Sequence, residues 1–145
     1  MTGTCDLCRN PGGDVLWSDD RCRVVLVADD RFPGYCRVVW SHHVSEMTDL
    51  AVADREHLMR VTWAVESALR TVQQPDKINL ASFGNMTPHL HWHVIPRWRD
   101  DSHFPQSIWS APERDGQPRR IDVTALRDDV CGRLSARDSE RISRP

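Results

Sequence analysis

Three histidines at alternate positions, in the segment Thr87-Pro88-His89-Leu90-His91-Trp92-His93-Val94-Ile95, form the strongest chemical pattern in this sequence. Successive side chains of a β-strand point to opposite faces, so residues two apart stand in a row with a spacing of roughly 6.6 Å. The pattern predicts three imidazoles on one face, with Leu90, Trp92 and Val94 toward the core. Burying three neighbouring imidazoles costs stability unless each has a partner. The row therefore predicts a functional site.

Imidazoles in such a row suit chemistry on phosphate. A neutral histidine can attack phosphorus with one nitrogen while an acceptor holds the other as N–H. With an ordinary pKa of about 6.5, the flanking histidines can be protonated near a polyanion and donate hydrogen bonds to its oxygens. The preceding loop, Gly84-Asn85-Met86-Thr87, can present its amides and the Asn85 side chain to the same phosphate.

Length and charge exclude several classes of protein. The 145 residues suffice for one ordinary domain, and the net charge of −2 provides no general attraction for nucleic acid or an anionic membrane. The N-terminal residues lack the pattern of a signal peptide, and no apolar run approaches the roughly 18–20 residues that span a bilayer. We expect a soluble cytoplasmic domain of residues 1–145, with a core at about 14–105 and a C-terminal loop and helix at 106–145.

Hydrophobic periodicity predicts an α+β fold with an antiparallel sheet. A helix from about residue 54 to 73 has one apolar stripe, formed by Leu58, Val61, Val65, Ala68 and Val72. Pro75 ends it. The predicted strands are 14–18, 22–28, 36–40, 77–83 and 89–96, followed by a long surface loop at 97–120 and an amphipathic helix at 121–136.

Several aromatic residues and histidines outside the triad have expected positions. Trp63 falls on the side of the long helix opposite the apolar stripe, which favours a subunit contact. Trp92 belongs to the core side of the histidine strand, whereas Trp98 and Trp109 are candidates for contacting a base or another subunit. Two histidines without a motif context are expected at the surface: His57 and His103.

The five cysteines do not resemble a disulfide framework. An odd number at irregular spacing argues against one in a reducing compartment. Cys22 and Cys36 lie in apolar segments and are expected to be buried as small hydrophobic residues. Cys5 and Cys8 form a C-x-x-C pair, which is half of a zinc-knuckle motif and weak evidence alone.

The seven residues from His89 to Ile95 match the signature of the histidine triad (HIT) superfamily of nucleotide hydrolases and transferases. The resemblance extends to residues 79–85 and 41–45, and covers about 14–105 in all. It implies a HIT-like fold, in which a five-stranded antiparallel sheet and a long helix usually assemble as a homodimer. It also implies cleavage at the α-phosphate of an adenylylated nucleotide through a nucleotidyl-histidine intermediate, with no catalytic cofactor.

The same resemblance assigns roles to individual residues. His91 would be the nucleophile, the carbonyl of His89 would hold its second nitrogen, and His93 would bind the phosphate or leaving group. A histidine upstream would brace His89, and the spacing to Val44-Ser45 favours His43 over His42. Three further positions would contact ribose or phosphate: Asn79, Asn85 and Thr87.

The resemblance also implies a structural zinc site in some relatives, which here would comprise Cys5, Cys8, His43 and His89. The alternative is two inert thiols. For function, the leading hypothesis is hydrolysis of a dinucleoside polyphosphate or a nucleoside phosphoramidate. One alternative is a non-catalytic nucleotide-binding module, and another is a zinc enzyme with the three triad histidines as ligands. Residues 97–109 lack the glycines that follow the triad in the phosphoramidase branch, so the substrate remains open.

Overall fold

The computed structural model describes residues 4–142, with side chains described as far as residue 135. None of the helices in this range is both long and apolar enough to cross a membrane. The described elements follow the chain as α1 (Asp6–Arg9), β1 (Asp14–Ser18), β2 (Cys22–Leu26), β3 (Cys36–Trp40), a 3₁₀ turn (Met47–Asp49), α2 (Val52–Gln73), β4 (Lys77–Ala81), β5 (His91–Arg97) and α3 (Val123–Ile142).

The strands form one antiparallel sheet in the order β1-β2-β3-β5-β4, which confirms the predicted α+β class. The histidine strand β5 lies between β3 and β4. Arg37 of β3 and Ala81 of β4 are both in register with His93, and Val39 is in register with His91. Residues in register share a face of the sheet, so these positions surround the histidines.

Helices α2 and α3 cover one face of the sheet. The predicted stripe of α2 is confirmed, because Leu58, Val61, Val65 and Ala68 are buried and pack with strand residues such as Val94. The helix ends where Gln74 adopts a left-handed φ of 50° ahead of Pro75. Helix α3 adds three buried residues at helical spacing to the same core: Leu126, Val130 and Leu134.

The other face of the sheet is covered by two separate segments. At one side, Cys5 and Leu7 of the N-terminal segment pack on Val25 and Val39. At the other side, the loop after β5 packs through Ile108 in a cluster whose other members are Phe32, Tyr35 and Ile95. The strip of sheet between the two clusters carries three polar residues: Arg37 of β3, and His91 and His93 of β5.

The predicted boundary of the histidine strand was wrong at its start. The ladder begins at His91, and His89 precedes it. Its neighbours explain the difference: Leu90 N–H donates to the Val44 carbonyl at 2.7 Å, and the Leu90 carbonyl accepts from Trp40 N–H at 3.1 Å. These bonds draw the chain toward the 41–45 segment. The smaller differences are that β2 ends at Leu26, β4 ends at Ala81, α2 begins at Val52 and β5 ends at Arg97. Helix α3 spans Val123–Ile142 rather than residues 121–136.

The segment 98–120 has no regular structure and is largely exposed, as predicted, but it is anchored at a few buried residues around Asp101. Asp101 accepts hydrogen bonds from Arg97 Nε at 2.8 Å and Nη2 at 3.0 Å, and from the backbone N–H groups of Trp98, His103 and Phe104. Burial raises the pKa of Asp101, but these donors outweigh it and hold the pKa below its usual value.

Two sequence predictions fail because of this anchor. His103 is 2 % exposed rather than at the surface. Trp98 is buried beneath the Arg119 guanidinium, 4.5 Å from its ring centroid, and is not a free stacking surface. The contacts of neither residue could be read from the sequence, because both depend on a turn built around the Asp101 carboxylate.

The buried Arg97–Asp101 pair yields a stability prediction with a neighbouring control. We expect Asp101→Ala to lower the free energy of unfolding by about 3–5 kcal/mol, because the buried guanidinium loses its partner. The control is Asp100, which forms an ion pair with Arg119 but whose side chain is 52 % exposed. Asp100→Ala should cost less than about 1 kcal/mol. Urea unfolding measures both, and equal losses would contradict the assigned role of the buried pair.

Candidate active site

A cavity of ≈ 580 Å³ opens over the strip between the two covering segments. The N-terminal segment contributes Asp6 and Leu7, and the loop after β5 contributes Ser107 and Trp109. The remaining lining residues come from the sheet and from the loop that enters β5: Arg37, Phe83, Gly84, Asn85, Met86, Thr87, His91 and His93. Both predicted reactive histidines therefore face one cavity.

His91 has a single defined orientation. Its Nδ1 lies 2.6 Å from the backbone carbonyl of His89, which can only accept, so Nδ1 carries the proton. Nε2 is then left with its lone pair. Burial lowers the pKa of His91, and the positive charge of Arg37 lowers it further, whereas the bond to the His89 carbonyl acts in the opposite direction. The arrangement yields a neutral imidazole with a free nitrogen.

His93 lies beside His91, with ring centroids 4.8 Å apart at an angle of 76°. Its Nδ1 is 2.6 Å from the hydroxyl of Tyr35. Burial, then the neighbouring His91 and Arg37, lower the pKa of His93 to about 3, while burial raises the pKa of Tyr35. A neutral His93 that accepts from the phenol at Nδ1 carries its single N–H proton on Nε2, where it can donate to an anion.

The loop between β4 and β5 lines the cavity with residues 83–87. Gly84 has a φ of +69°, a backbone conformation that residues with a side chain rarely adopt. There is space for a Cβ at this position, so the glycine is required by the backbone conformation. Asn85 and Thr87, for which contact with ribose or phosphate is predicted, line the cavity. Asn79 does not: its side-chain oxygen accepts from Arg97 Nη1 at 2.8 Å, in register with Ile95 farther along the sheet.

Two exposed aromatic rings border the histidines. Trp109 stands edge to face with Phe83 at 4.9 Å between centroids and with His93 at 5.0 Å. Both aromatic side chains keep about half of their surface exposed. Because exposed aromatic surface beside polar groups is typical of ligand sites, this pair is the apolar part of the cavity. Of the two tryptophans predicted as candidates for contacting a base or another subunit, only Trp109 is positioned to contact a ligand.

His89 faces away from the other two histidines, which corrects the prediction of three imidazoles in one row. Its Nε2 donates to the Trp40 carbonyl at 2.6 Å, which leaves Nδ1 as a free acceptor or ligand. That Nδ1 lies 3.4 Å from the Sγ atoms of both Cys5 and Cys8. The Sγ of Cys8 is also 3.4 Å from His43 Nδ1.

These four side chains fit a tetrahedral metal. Their ligand atoms all lie within 4.8 Å of one another. Zinc–sulfur bonds of about 2.3 Å and zinc–nitrogen bonds of about 2.0–2.1 Å place tetrahedral sulfur and nitrogen ligands roughly 3.5 Å apart, close to the spacing here. The hydrogen bond from His89 to Trp40 also fixes the tautomer that a metal needs. His43, not the exposed His42, belongs to the cluster.

A metal held by all three triad histidines has no support in the described part of the chain. His89 points to the cysteines, and the groups with metal-ligand geometry do not include His91 or His93. A second group, Asp19, Cys22 and His57, has suitable spacing, but its histidine is already bonded on both nitrogens to Asp19 and Arg21.

Sequence reasoning missed three residues of the site: Tyr35, Arg37 and Phe83. Arg37 carried a usable signal, because it is the charged residue within the apolar strand Cys36–Trp40. The alternation of that strand places it on the face opposite Cys36 and Val38, which belong to the helix-covered core. Tyr35 precedes the strand, and its bond to His93 depends on pairing between distant segments.

The comparisons with known proteins identify the family. A HIT domain model matches residues 10–100, which is more than half of the chain, and the chain belongs to the HIT family. A Mycobacterium tuberculosis protein, AP-4-A phosphorylase, is 33 % identical over 78 residues, or 50 % of this chain. The aligned region covers 40 % of that protein, so the chain spans less than half the length of this relative.

Solved structures show the same fold. A histidine triad protein from Bradyrhizobium japonicum is 26 % identical, with a TM-score of 0.65 over 84 % of this chain and 90 % of its own. A Zn-bound histidine triad family protein from Mycobacterium smegmatis is 20 % identical, with a TM-score of 0.66 over 94 % of this chain and 99 % of its own. At that identity the second comparison shows the fold alone.

The environment of His93 predicts its titration. Because its pKa is lowered to about 3, the neutral form should persist from pH 8 down to pH 5 in the protein without nucleotide. Nitrogen-15 NMR should show a single neutral tautomer with Nδ1 as acceptor and Nε2 protonated. The nitrogen resonances that disappear in His93→Gln are those of His93. A titration midpoint at about 6.5, the value of a solvated histidine, would contradict the effect of burial.

Proposed function

We propose that this chain is a nucleotidyl hydrolase that cleaves at the α-phosphate of an adenylylated substrate, either a dinucleoside polyphosphate or a nucleoside phosphoramidate. The observation that carries the proposal is the 2.6 Å contact between His91 Nδ1 and the His89 carbonyl. It leaves the Nε2 lone pair of His91 in the cavity, which is the state that a nucleophilic histidine requires. Family membership and the similarity to AP-4-A phosphorylase support the substrate class.

In the first step, His91 Nε2 attacks the α-phosphorus and forms a P–N bond. The bond from phosphorus to the leaving group breaks, and that group departs with the electron pair. The imidazole of the intermediate keeps its proton on Nδ1, so its positive charge lies against the His89 carbonyl. His93 Nε2–H donates to a phosphate oxygen or to the leaving atom, and the Gly84–Thr87 loop adds backbone amides.

In the second step, a water molecule attacks the same phosphorus from the side that the leaving group vacated. The P–N bond breaks, the electron pair returns to His91 Nε2, and nucleoside monophosphate is released with loss of one water proton. His91 regains its neutral state without a change of tautomer. Phe83 and Trp109 would hold the base during both steps, since stacking on aromatic rings tolerates any flat heterocycle.

The test of the nucleophile is AMP release from diadenosine tri- and tetraphosphate, AMP-amide and AMP-lysine. We expect wild type to turn over at least one of them, and His91→Asn to lower turnover about 10³-fold or more, because the variant lacks the nitrogen that forms the P–N bond. His42→Asn is the matched control, since His42 is exposed and outside the cluster.

The alternative function is a nucleotide-binding module without turnover. Calorimetry with AMP separates the two, because a binding module would bind AMP in both wild type and His91→Asn while neither releases product. Trapping of a labelled nucleotide on His91 after acid quench would support the covalent route directly. Equal turnover by wild type and His91→Asn would contradict the proposed mechanism.

We also propose that Cys5, Cys8, His43 and His89 hold a structural zinc ion. The ligand set is closed, with four protein ligands and no position left for substrate. Such a metal would tie the N-terminal segment to the residue whose carbonyl orients His91. Its contribution is therefore to the order of the site, and His89 would have no free ring nitrogen for phosphate.

Metal analysis tests the zinc proposal independently of activity. We expect about one zinc ion per purified chain, and loss of most of it in Cys8→Ser because three protein ligands bind zinc more weakly than four. Cys131→Ser is the control, since Cys131 lies outside the cluster. A thermal melt with and without chelator should show destabilisation in wild type and little change in Cys8→Ser. Equal metal content in all three proteins would refute the ligand assignment.

The homodimer and the cytoplasmic location remain parts of this proposal. The half-exposed ring of Trp63, together with exposed Val52 on the same helix, supports a subunit contact through α2.

A further inference from the structure

Arg37 reaches the cavity from the side opposite the aromatic pair. It lies on β3, in register with His93, whereas Phe83 follows β4 on the other side of β5. Arg37 Nη1 is directed toward the N-terminal segment, where it donates to the Gly12 carbonyl at 3.4 Å. Its guanidinium carbon is 5.7 Å from the ring centroid of Tyr35, which bonds His93.

The guanidinium of Arg37 is poorly satisfied for a partly buried charge. Its Nε is buried and has no hydrogen-bond partner, the one such side-chain nitrogen or oxygen atom among the described residues. The bond from Nη1 to Gly12 is long, Tyr35 is the other polar neighbour, and no ion pair found in the described part of the chain includes Arg37. Leaving a buried donor unpaired costs stability, and a guanidinium that lines the cavity can gain hydrogen-bond partners from a bound anion.

The chemistry of that partner follows from the surroundings. Arg37 is the one arginine or lysine among the residues that line the cavity, so it provides the fixed positive charge there. Asp6 is the carboxylate that lines the cavity, and its Oδ1 already accepts from Asn10. A planar guanidinium that is not in an ion pair matches the oxygens of a phosphate better than it matches a neutral amine.

We propose that Arg37 binds the phosphate next to the one attacked by His91, and so makes the site selective for leaving groups that are themselves phosphorylated. This inference rests on the proposed function. It favours polyphosphate substrates over phosphoramidates, because a departing amine offers no oxygen to Arg37. Arg37 is a specificity-determining residue in this assignment, and His91 remains able to attack either class.

Paired substrates test the selectivity. The kcat/KM for diadenosine tetraphosphate divided by that for AMP-amide should fall about tenfold to a hundredfold in Arg37→Gln, the usual effect of losing a charge-assisted hydrogen bond. Arg37→Lys should recover part of the ratio, because it restores the charge without the planar fork. Arg31→Gln is the control for loss of an arginine, since Arg31 is exposed and pairs with Asp29. Thermal melts verify that each variant folds.

A binding experiment keeps this inference separate from the proposed function. Calorimetry should show that α,β-methylene-ADP loses about tenfold or more in affinity for Arg37→Gln, whereas AMP loses little. If wild type hydrolyses nothing, the proposed function fails and this affinity ratio still decides the role of Arg37. Equal losses for both nucleotides, or for both substrates, would overturn the inference, because Arg37 would then act on the α-phosphate or only on the fold.

Discussion

The order of the site depends on the backbone and ring of His89, which bond in three directions at once. Its carbonyl receives Nδ1–H of His91, its Nε2–H is held by the Trp40 carbonyl, and its Nδ1 meets the thiols of Cys5 and Cys8. Each of these bonds restricts the position of His89, and so restricts the orientation of the His91 ring. A nucleophile must have the correct nitrogen free before substrate arrives, because a mixture of tautomers would leave part of the population unreactive. The chain leaves the regular ladder at His89 and can therefore turn this ring toward the cysteines.

The two faces of the sheet have different roles: one packs on the helices to form the core, and the other carries the cavity. The core between the sheet and α2 and α3 is apolar, so its packing tolerates no charge. The opposite face is covered only at its two sides, by the N-terminal segment and by the loop anchored at Asp101. The gap between these covers is the cavity. The N-terminal segment contains only the short helix α1, and the loop has no regular structure. Each is held by polar contacts: arginine bonds and the cysteine–histidine cluster in the N-terminal segment, and a buried ion pair in the loop. Their anchors thus set the dimensions of the site.

Local sequence patterns were sufficient for the sheet, the long helix and the two histidines that face the cavity, because alternation and helical periodicity are properties of neighbouring residues. They were insufficient wherever distant segments meet. The reversal of His89 depends on bonds to Trp40 and Val44, and the burial of His103 depends on Asp101 capping a turn. Asn79 shows the same limit, since its strand position was correct while its amide was committed to Arg97. The cysteine–histidine cluster was found only because a family resemblance joined segments separated by more than 80 residues.

The division of charge in the cavity explains why an arginine, rather than a third protonated histidine, would serve a polyphosphate. Burial keeps His91 and His93 neutral, which His91 requires for attack and which lets His93 donate through a single proton. Neutral groups alone bind a polyanion weakly, so the site needs one positively charged group. That group must stay protonated although the site is buried. Arginine meets this condition because its guanidinium stays protonated at any physiological pH.

The charge of Arg37 also disfavours protonation of both histidines before substrate binds. A polyphosphate in the cavity would offset that repulsion and accept hydrogen bonds from the Arg37 guanidinium. The same residue thus keeps the empty site neutral at its histidines and prepares it for an anionic substrate.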